Sequence, residues 1–172
     1  NSGVDSIVVQ ADGKIIVGGN FATLGGQTRN HLGRLNADGS LDMTFTNGAN
    51  STCVFSLALQ TDGKILVGGD FTALAGQARN FIGRLNVDGS LDTAFTNQAD
   101  SSVYSLAVQP DGKILVGGLF TTLAGQARNY IGRLYPDGSL DTSLTNGADN
   151  YVRSCAIQSD GKILVGGYFT AL

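Results

Sequence analysis

Short runs of alternating and continuous apolar residues recur along the whole of this chain. In the third recurrence, Val103-Tyr-Ser-Leu-Ala-Val-Gln109 carries its larger apolar residues at Val103, Tyr104, Leu106 and Val108, which predicts a strand. Pro110-Asp111-Gly112 follows, where proline presets φ and glycine takes the positive φ that closes a tight hairpin. A second strand is predicted over Lys113 to Gly118. Its Ile114-Leu115-Val116 run does not alternate, and an unbroken apolar run of strand length implies burial on both faces. Phe120 through Gln126 reads as a connecting loop. A third strand runs from Asn129 to Tyr135, turns at Pro136-Asp137-Gly138, and leads into a fourth from Ser139 to Leu144.

The same unit returns with a period of about 49 residues. Asp-Gly-Lys begins at Asp12, Asp62, Asp111 and Asp160, and a Gly-Gly pair follows at Gly18, Gly68, Gly117 and Gly166. Phe21, Phe71, Phe120 and Phe169 close the phrase. The glycine pairs, such as Gly117 and Gly118, are expected to be structural, ending an apolar strand where no side chain fits or where positive φ is needed. The second and third repeats are nearly identical, so copying alone accounts for much of what recurs.

Two hairpins joined by a loop make a four-stranded antiparallel meander. A meander apolar on both faces must pack between neighbours, and radial stacking of such sheets is the propeller solution. A β-solenoid is the rival, but its coils are usually shorter and lack two hairpin turns per period. The expected fold is an all-β, partial β-propeller of four-stranded blades over 1–172, with blades at about 4–49, 54–98 and 103–147 and a half blade at 152–172. Four first hairpins stand against three second ones, so both ends are expected to lie inside an array that further repeats or self-association would complete.

Composition agrees with this reading. Residues are 42% hydrophobic and 15% charged, glycine numbers 25, and all 14 acidic residues are aspartate. Helix formers are correspondingly scarce. A net charge of −3 argues against nucleic acid or an anionic membrane as partner, because both need a basic footprint. No apolar run has membrane-spanning length, so no membrane insertion is expected. Nothing at the N-terminus reads as a signal peptide, and an extracellular or cell-surface location is the expectation. Cys53 and Cys155 occupy non-equivalent repeat positions and are not expected to pair. Cys155 replaces the residues seen as Ile7, Leu57 and Leu106, a small core hydrophobe.

The segment from Val103 to Leu144 resembles the delta-60 repeat, a bacterial propeller repeat that reads V-x-S-x-A-x-Q-x-D-G-K-I-L-V-G-G-x-F followed by R-L-N-x-D-G-S-L-D-x-x-F. The resemblance covers the entire chain and implies architecture without an activity. A looser similarity to kelch repeats rests on the double glycine, but this chain has no tryptophan.

The recurring polar phrase between the second and third strands is the candidate ligand-binding surface. It comprises Gln27, Arg29 and Asn30, then Gln77, Arg79 and Asn80, then Gln126, Arg128 and Asn129. Arginine and asparagine once per blade suit a sugar or a carboxylate, and the competing reading is that they cap the loop or bridge blades. Asn36-x-Asp38-Gly39-Ser40-x-Asp42 loosely resembles a calcium loop, but an Asp-Gly hairpin explains it without metal. Asp42, Asp92 and Asp141 are placed to pair with Arg34, Arg84 and Arg133 on the adjacent strand. Catalysis has little to stand on: His31, the one histidine, occupies a slot filled by Phe81 and Tyr130 in the other repeats. No cofactor is called for. The leading expectation is a non-enzymatic scaffold or interaction module presenting its loops to a protein partner or larger assembly. A lectin-like module taking one glycan per blade is the alternative, and an enzyme comes third.

Overall fold

A computed structural model describes residues 3–50, 52–145 and 147–172. Among them are strands and turns and no helix. The first repeat forms β1 (Val4–Val9), β2 (Ile15–Gly19), β3 (Thr23–Leu24), β4 (Gln27–Thr28) and β5 (Leu32–Leu35). The second forms β6 (Cys53–Leu59), β7 (Ile65–Asp70), β8 (Ala73–Leu74), β9 (Gln77–Ala78) and β10 (Ile82–Leu85). The third forms β11 (Val103–Val108), β12 (Ile114–Gly118), β13 (Thr122–Leu123), β14 (Gln126–Ala127) and β15 (Ile131–Leu134). The last contributes β16 (Val152–Ile157) and β17 (Ile163–Gly167).

Each complete repeat is an antiparallel sheet with its second strand in the middle: β1-β2-β5, β6-β7-β10 and β11-β12-β15. The hairpin β16-β17 is the half blade. The fold is thus all-β, about three and a half propeller blades. The fourth strand of each blade is reduced to a single bridge, Leu35 to Leu41, Leu85 to Leu91 and Leu134 to Leu140. The cause lies one residue further on. The Asp42 carboxylate accepts bonds from the Thr44 amide (2.9 Å) and hydroxyl (2.6 Å), which bends the chain out of the ladder. The connecting loop, in turn, holds a two-residue hairpin of its own, β3-β4 and its equivalents.

That loop re-enters the sheet through a bulky residue in the left-handed region: His31 (φ 63°), Phe81 (φ 64°) and Tyr130 (φ 66°). The His31 amide donates to the Phe21 carbonyl (2.8 Å), and its own carbonyl accepts from Gly19 (3.0 Å). The single histidine therefore occupies a backbone position that every complete blade requires.

Blades pack through their first and second strands, β6 against β1 and β2, β11 against β6 and β7, and β16 against β11 and β12. The unbroken apolar runs sit in the middle strands. Ile65, Leu66, Val67, Ile114, Leu115 and Val116 are fully buried, as burial on both faces requires. The first glycine of each pair lets the next blade approach. A methyl group at Gly18 would sit 2.6 Å from Val54 Cγ1, and one at Gly68 or Gly117 would sit 2.7 Å from Val103 or Val152 Cγ1. At the second glycine, Gly118, a methyl group would run into the Ser102 carbonyl oxygen. Both glycines are structural by close approach rather than by positive φ.

Candidate functional site

The sequence places most of its polar chemistry in three recurring settings. In the first, the turns between strands cap themselves. Asp38 Oδ1 accepts from the Ser40 amide (2.9 Å) and hydroxyl (2.6 Å), and Asn36 Nδ2 donates to Ser40 Oγ (3.0 Å). Asp88 and Asn86 repeat the arrangement on Ser90, and Asp137 repeats the aspartate part of it on Ser139. These hydroxyl bonds, then the amide bonds, draw the Asp38 carboxyl below its usual range. Among the described residues no three His, Cys, Asp or Glu side chains gather to hold a metal ion.

The second setting is an ion cluster inside each blade. Arg34 Nε meets Asp42 Oδ2 at 2.8 Å and Lys14 Nζ meets the same oxygen at 3.0 Å. Arg84, Lys64 and Asp92 match this at 2.8 and 3.0 Å, and Arg133 lies 2.8 Å from Asp141. The guanidinium also stacks on an aromatic ring, Arg34 over Phe45 at 4.9 Å and Arg84 over Phe95 at 4.7 Å. It then crosses to the next blade: Arg34 Nη1 donates to the Val87 carbonyl (2.8 Å) and Arg84 Nη1 to that of Pro136 (2.5 Å). The Thr44 hydroxyl, against the opposing effect of burial, holds the Asp42 carboxyl well below the carboxylate range, with Lys14 and Arg34 adding to it. Ser143 does the same for Asp141. In the first two blades the cluster joins one blade to the next, whereas Arg133 bonds within its own blade to Asp141, Gln109 and Ser143.

The Gln/Arg/Asn phrase is the third setting. Gln27, Gln77 and Gln126 are exposed on β4, β9 and β14. Arg29, Arg79 and Arg128 each turn Nη1 back onto the preceding carbonyl, at 2.8, 2.7 and 2.7 Å, and leave Nε buried without a hydrogen-bond partner. The carbonyls of Asn30, Asn80 and Asn129 accept from Ala49, Ala99 and Ala148 (3.0, 3.4 and 3.1 Å), which fixes the segment leading to the next blade. Arg128 and Asn129 line a cleft of about 140 Å³ with Ala127, Thr145 and Gly147. Each blade places its triplet along one short stretch of its own loop.

A fourth site escaped the sequence reading. Every first strand carries a β-bulge. Val54 pairs with Gly69 and Ser56 with Gly68, so Phe55 is an extra residue with no ladder partner. Asp5, Tyr104 and Arg153 are its counterparts. All four line one cleft of about 270 Å³, one side chain from each blade. Phe55 and Tyr104 meet edge to face (5.3 Å, 64°), Tyr104 contacts Tyr151 (6.2 Å), and Tyr151 stacks on Tyr168 (4.7 Å). The Arg153 guanidinium lies over Tyr104 at 5.3 Å. Asp5 Oδ2 accepts from the Cys53 thiol (3.0 Å), which burial and then Asp5 push up to about 12, so it stays a protonated donor. One signal was available in the sequence. Val54 and Leu57 both face Gly18 of the preceding blade, yet they stand three apart, where a regular strand would need an even spacing.

The outer sheets carry the same interface groups on exposed faces. Ser6, Ser56 and Ser105 accept, on Oγ, the amide of Leu57, Leu106 and Cys155 in the following blade, at 2.9, 3.0 and 2.9 Å. Their counterpart Ser154 is exposed, and a methyl group on Gly166 would meet nothing within 4 Å. At the other end Ile7 is 59% exposed where Leu57 is 6%, and Val4 is 50% exposed where Val54 is fully buried.

A family model described as a domain of unknown function (DUF5122) beta-propeller matches residues 10–45, 60–95, 109–144 and 158–171, well over half of the sequence. The chain belongs to this family. The description does not carry the delta-60 name, so what it establishes of that resemblance is a propeller repeat family. No curated protein matches. Among solved structures, the chain is similar to the WD40 β-propeller domain of Doa1 at 20% identity, with a TM-score of 0.66, covering 96% of this chain and 48% of that one. It is also similar to a streptogramin B lyase (20%, TM-score 0.52, 96% and 48%) and to virginiamycin B lyase from Staphylococcus aureus (21%, TM-score 0.52, 95% and 48%). At these identities the likeness concerns the fold. The chain spans about half the length of these propellers. Among the described residues no helix is long and apolar enough to cross a membrane.

Proposed function

We propose that this chain is a non-catalytic scaffold segment whose open end faces receive further blades built on the same repeat, so that it holds together a larger ring or assembly that a protein partner can engage. One observation carries the reading. The chain makes the same blade-to-blade interface three times internally, with glycine against valine and serine Oγ under the next amide, and the last sheet carries the same two groups, Gly166 and Ser154, on its exposed face. Leu164, 53% exposed on the edge hairpin, adds apolar surface to that end. The first two ion clusters support the same role, since Arg34 and Arg84 also bond a carbonyl of the next blade.

Analytical ultracentrifugation of residues 1–172 tests this. Association is expected, and it should weaken in Ile7→Asp, which puts a charge on the exposed apolar face without touching an internal interface. A monodisperse 17.8 kDa species that melts cooperatively and binds no apolar dye would overturn the proposal. For the glycan alternative, the supporting feature is the unpartnered arginine Nε in each loop triplet. A lectin with one site per blade should show avidity for multivalent sugars on a glycan array.

A further inference from the structure

We infer that the cleft at the first-strand bulges binds a peptide segment of a protein partner, one that offers a carboxylate beside an aromatic or long apolar side chain. The repeats hold both flanks of the bulge constant. Val4, Val54, Val103 and Val152 precede the bulge, and Ser6, Ser56, Ser105 and Ser154 follow it. The interface fixes both flanks: the valine packs on glycine, and the serine accepts the next blade's amide. Between them stand Asp5, Phe55, Tyr104 and Arg153, four chemistries in four copies of one motif. With no ladder partner, the bulged residue is free of the constraint of strand pairing. Even so, its four versions do not scatter but share one cleft. The position after the glycine pair varies in the same way, as Asn20, Asp70, Leu119 and Tyr168, and Tyr168 reaches this cluster through Tyr151.

The side chains define the ligand. Phe55 and Tyr104 stand at 64° and make a corner that closes on an inserted apolar group, rather than the coplanar platform on which a sugar ring would lie. About 270 Å³ accommodates one large side chain. Arg153 is positioned over Tyr104, and its guanidinium has no hydrogen-bond partner among the described residues. Its planar fork matches a carboxylate. Asp5, in the first blade, repels a second carboxylate and so sets the direction in which the segment lies. Tyr and Arg are also enriched where protein interfaces carry most of their energy, and Phe is enriched at interfaces generally. None of these four residues belongs to the end faces used above, so the two readings stand or fall separately.

The experiment selects phage-displayed random dodecapeptides on the immobilised chain. The enriched sequences should place Asp or Glu next to Phe, Tyr, Trp or Leu. The best peptide, synthesised and titrated calorimetrically, should bind at least about tenfold more weakly to Arg153→Gln and to Phe55→Ala, and with little change to Met43→Ala, an exposed residue outside the cleft. Arg153 is exposed, so its variant keeps the fold, and thermal melts of both variants check this. No enrichment, or a selected peptide whose affinity neither variant alters, would overturn the proposal. So would a glycan that binds through Phe55 and Arg153.

Discussion

Adding one methyl group at equivalent glycines should have opposite effects depending on whether a blade follows. At Gly68 the new Cβ would lie 2.7 Å from Val103 Cγ1 and 3.1 Å from Leu106 Cδ1, whereas carbon atoms rest at about 3.5–4.0 Å. The blades must separate or Val103 must leave its rotamer, and overpacking of this kind costs about 1–3 kcal/mol. Gly68 is not in the left-handed region, so alanine also restricts the unfolded chain, returning about 0.4–1 kcal/mol. With both terms near the middle of their ranges, about 2 and about 0.7 kcal/mol, the net loss for Gly68→Ala is about 1–2 kcal/mol. At about 2–4 °C per kcal/mol for a chain of this size, that lowers Tm by about 2–8 °C. Gly166→Ala meets no atom within 4 Å and keeps only the favourable term, so Tm should hold or rise by about 1–4 °C. Calorimetric melts should be run on dilute protein, so that association does not cover Gly166. Gly68→Ala melting at or above wild type, or Gly166→Ala falling as far as Gly68→Ala, would show that the blade interface is not what fixes these glycines.

Two further outcomes are expected. Asp42, Asp92 and Asp141 all titrate below their ordinary range in the folded chain, and Asp100 is lowered to about 2, where bonds from Thr122 and Thr121 outweigh the effect of burial. Carboxyls depressed by folding contribute stability that is full above their unfolded value and is lost as pH falls through the folded one. Urea midpoints should therefore be level from about pH 7 to 5 and drop between about pH 4 and 2; a level profile down to pH 2 would contradict the ion clusters. Because the turn aspartates spend their oxygens on serine, EDTA should leave Tm unchanged, and a fall of several degrees that calcium reverses would establish a metal site.

Much of the architecture was legible because a repeated hairpin announces itself in several ways at once. Asp-Gly turns, the Ile-Leu-Val run and the double glycine each pointed to the same strands. The short hairpin around Thr122–Leu123 was hidden because two residues cannot display a period. The weak fourth strand was hidden for another reason: Asp42, read as a cross-strand partner of Arg34, does pair with it but also caps Thr44 and ends the ladder. The loop triplets stood out by recurrence, which near-identical repeats confer on any residue. The bulge residues did the reverse. Asp5, Phe55, Tyr104 and Arg153 share no chemistry, so a search for recurring motifs passed over them, and only the odd spacing from valine to the next buried residue marked them.

The serine bond between blades also gives the arc a polarity. One sheet always supplies the hydroxyl and the glycine, and the next always supplies the amide and the valine. Such a contact is heterologous, so two copies cannot meet through like faces in a two-fold dimer. Any assembly built on it grows head to tail, and either the rotation per blade closes a ring or the array stays open. A copy carrying Ile7→Asp would keep one competent end and lose the other. It would act as a chain terminator, and the assembly size would then be set by the ratio of capped to uncapped copies.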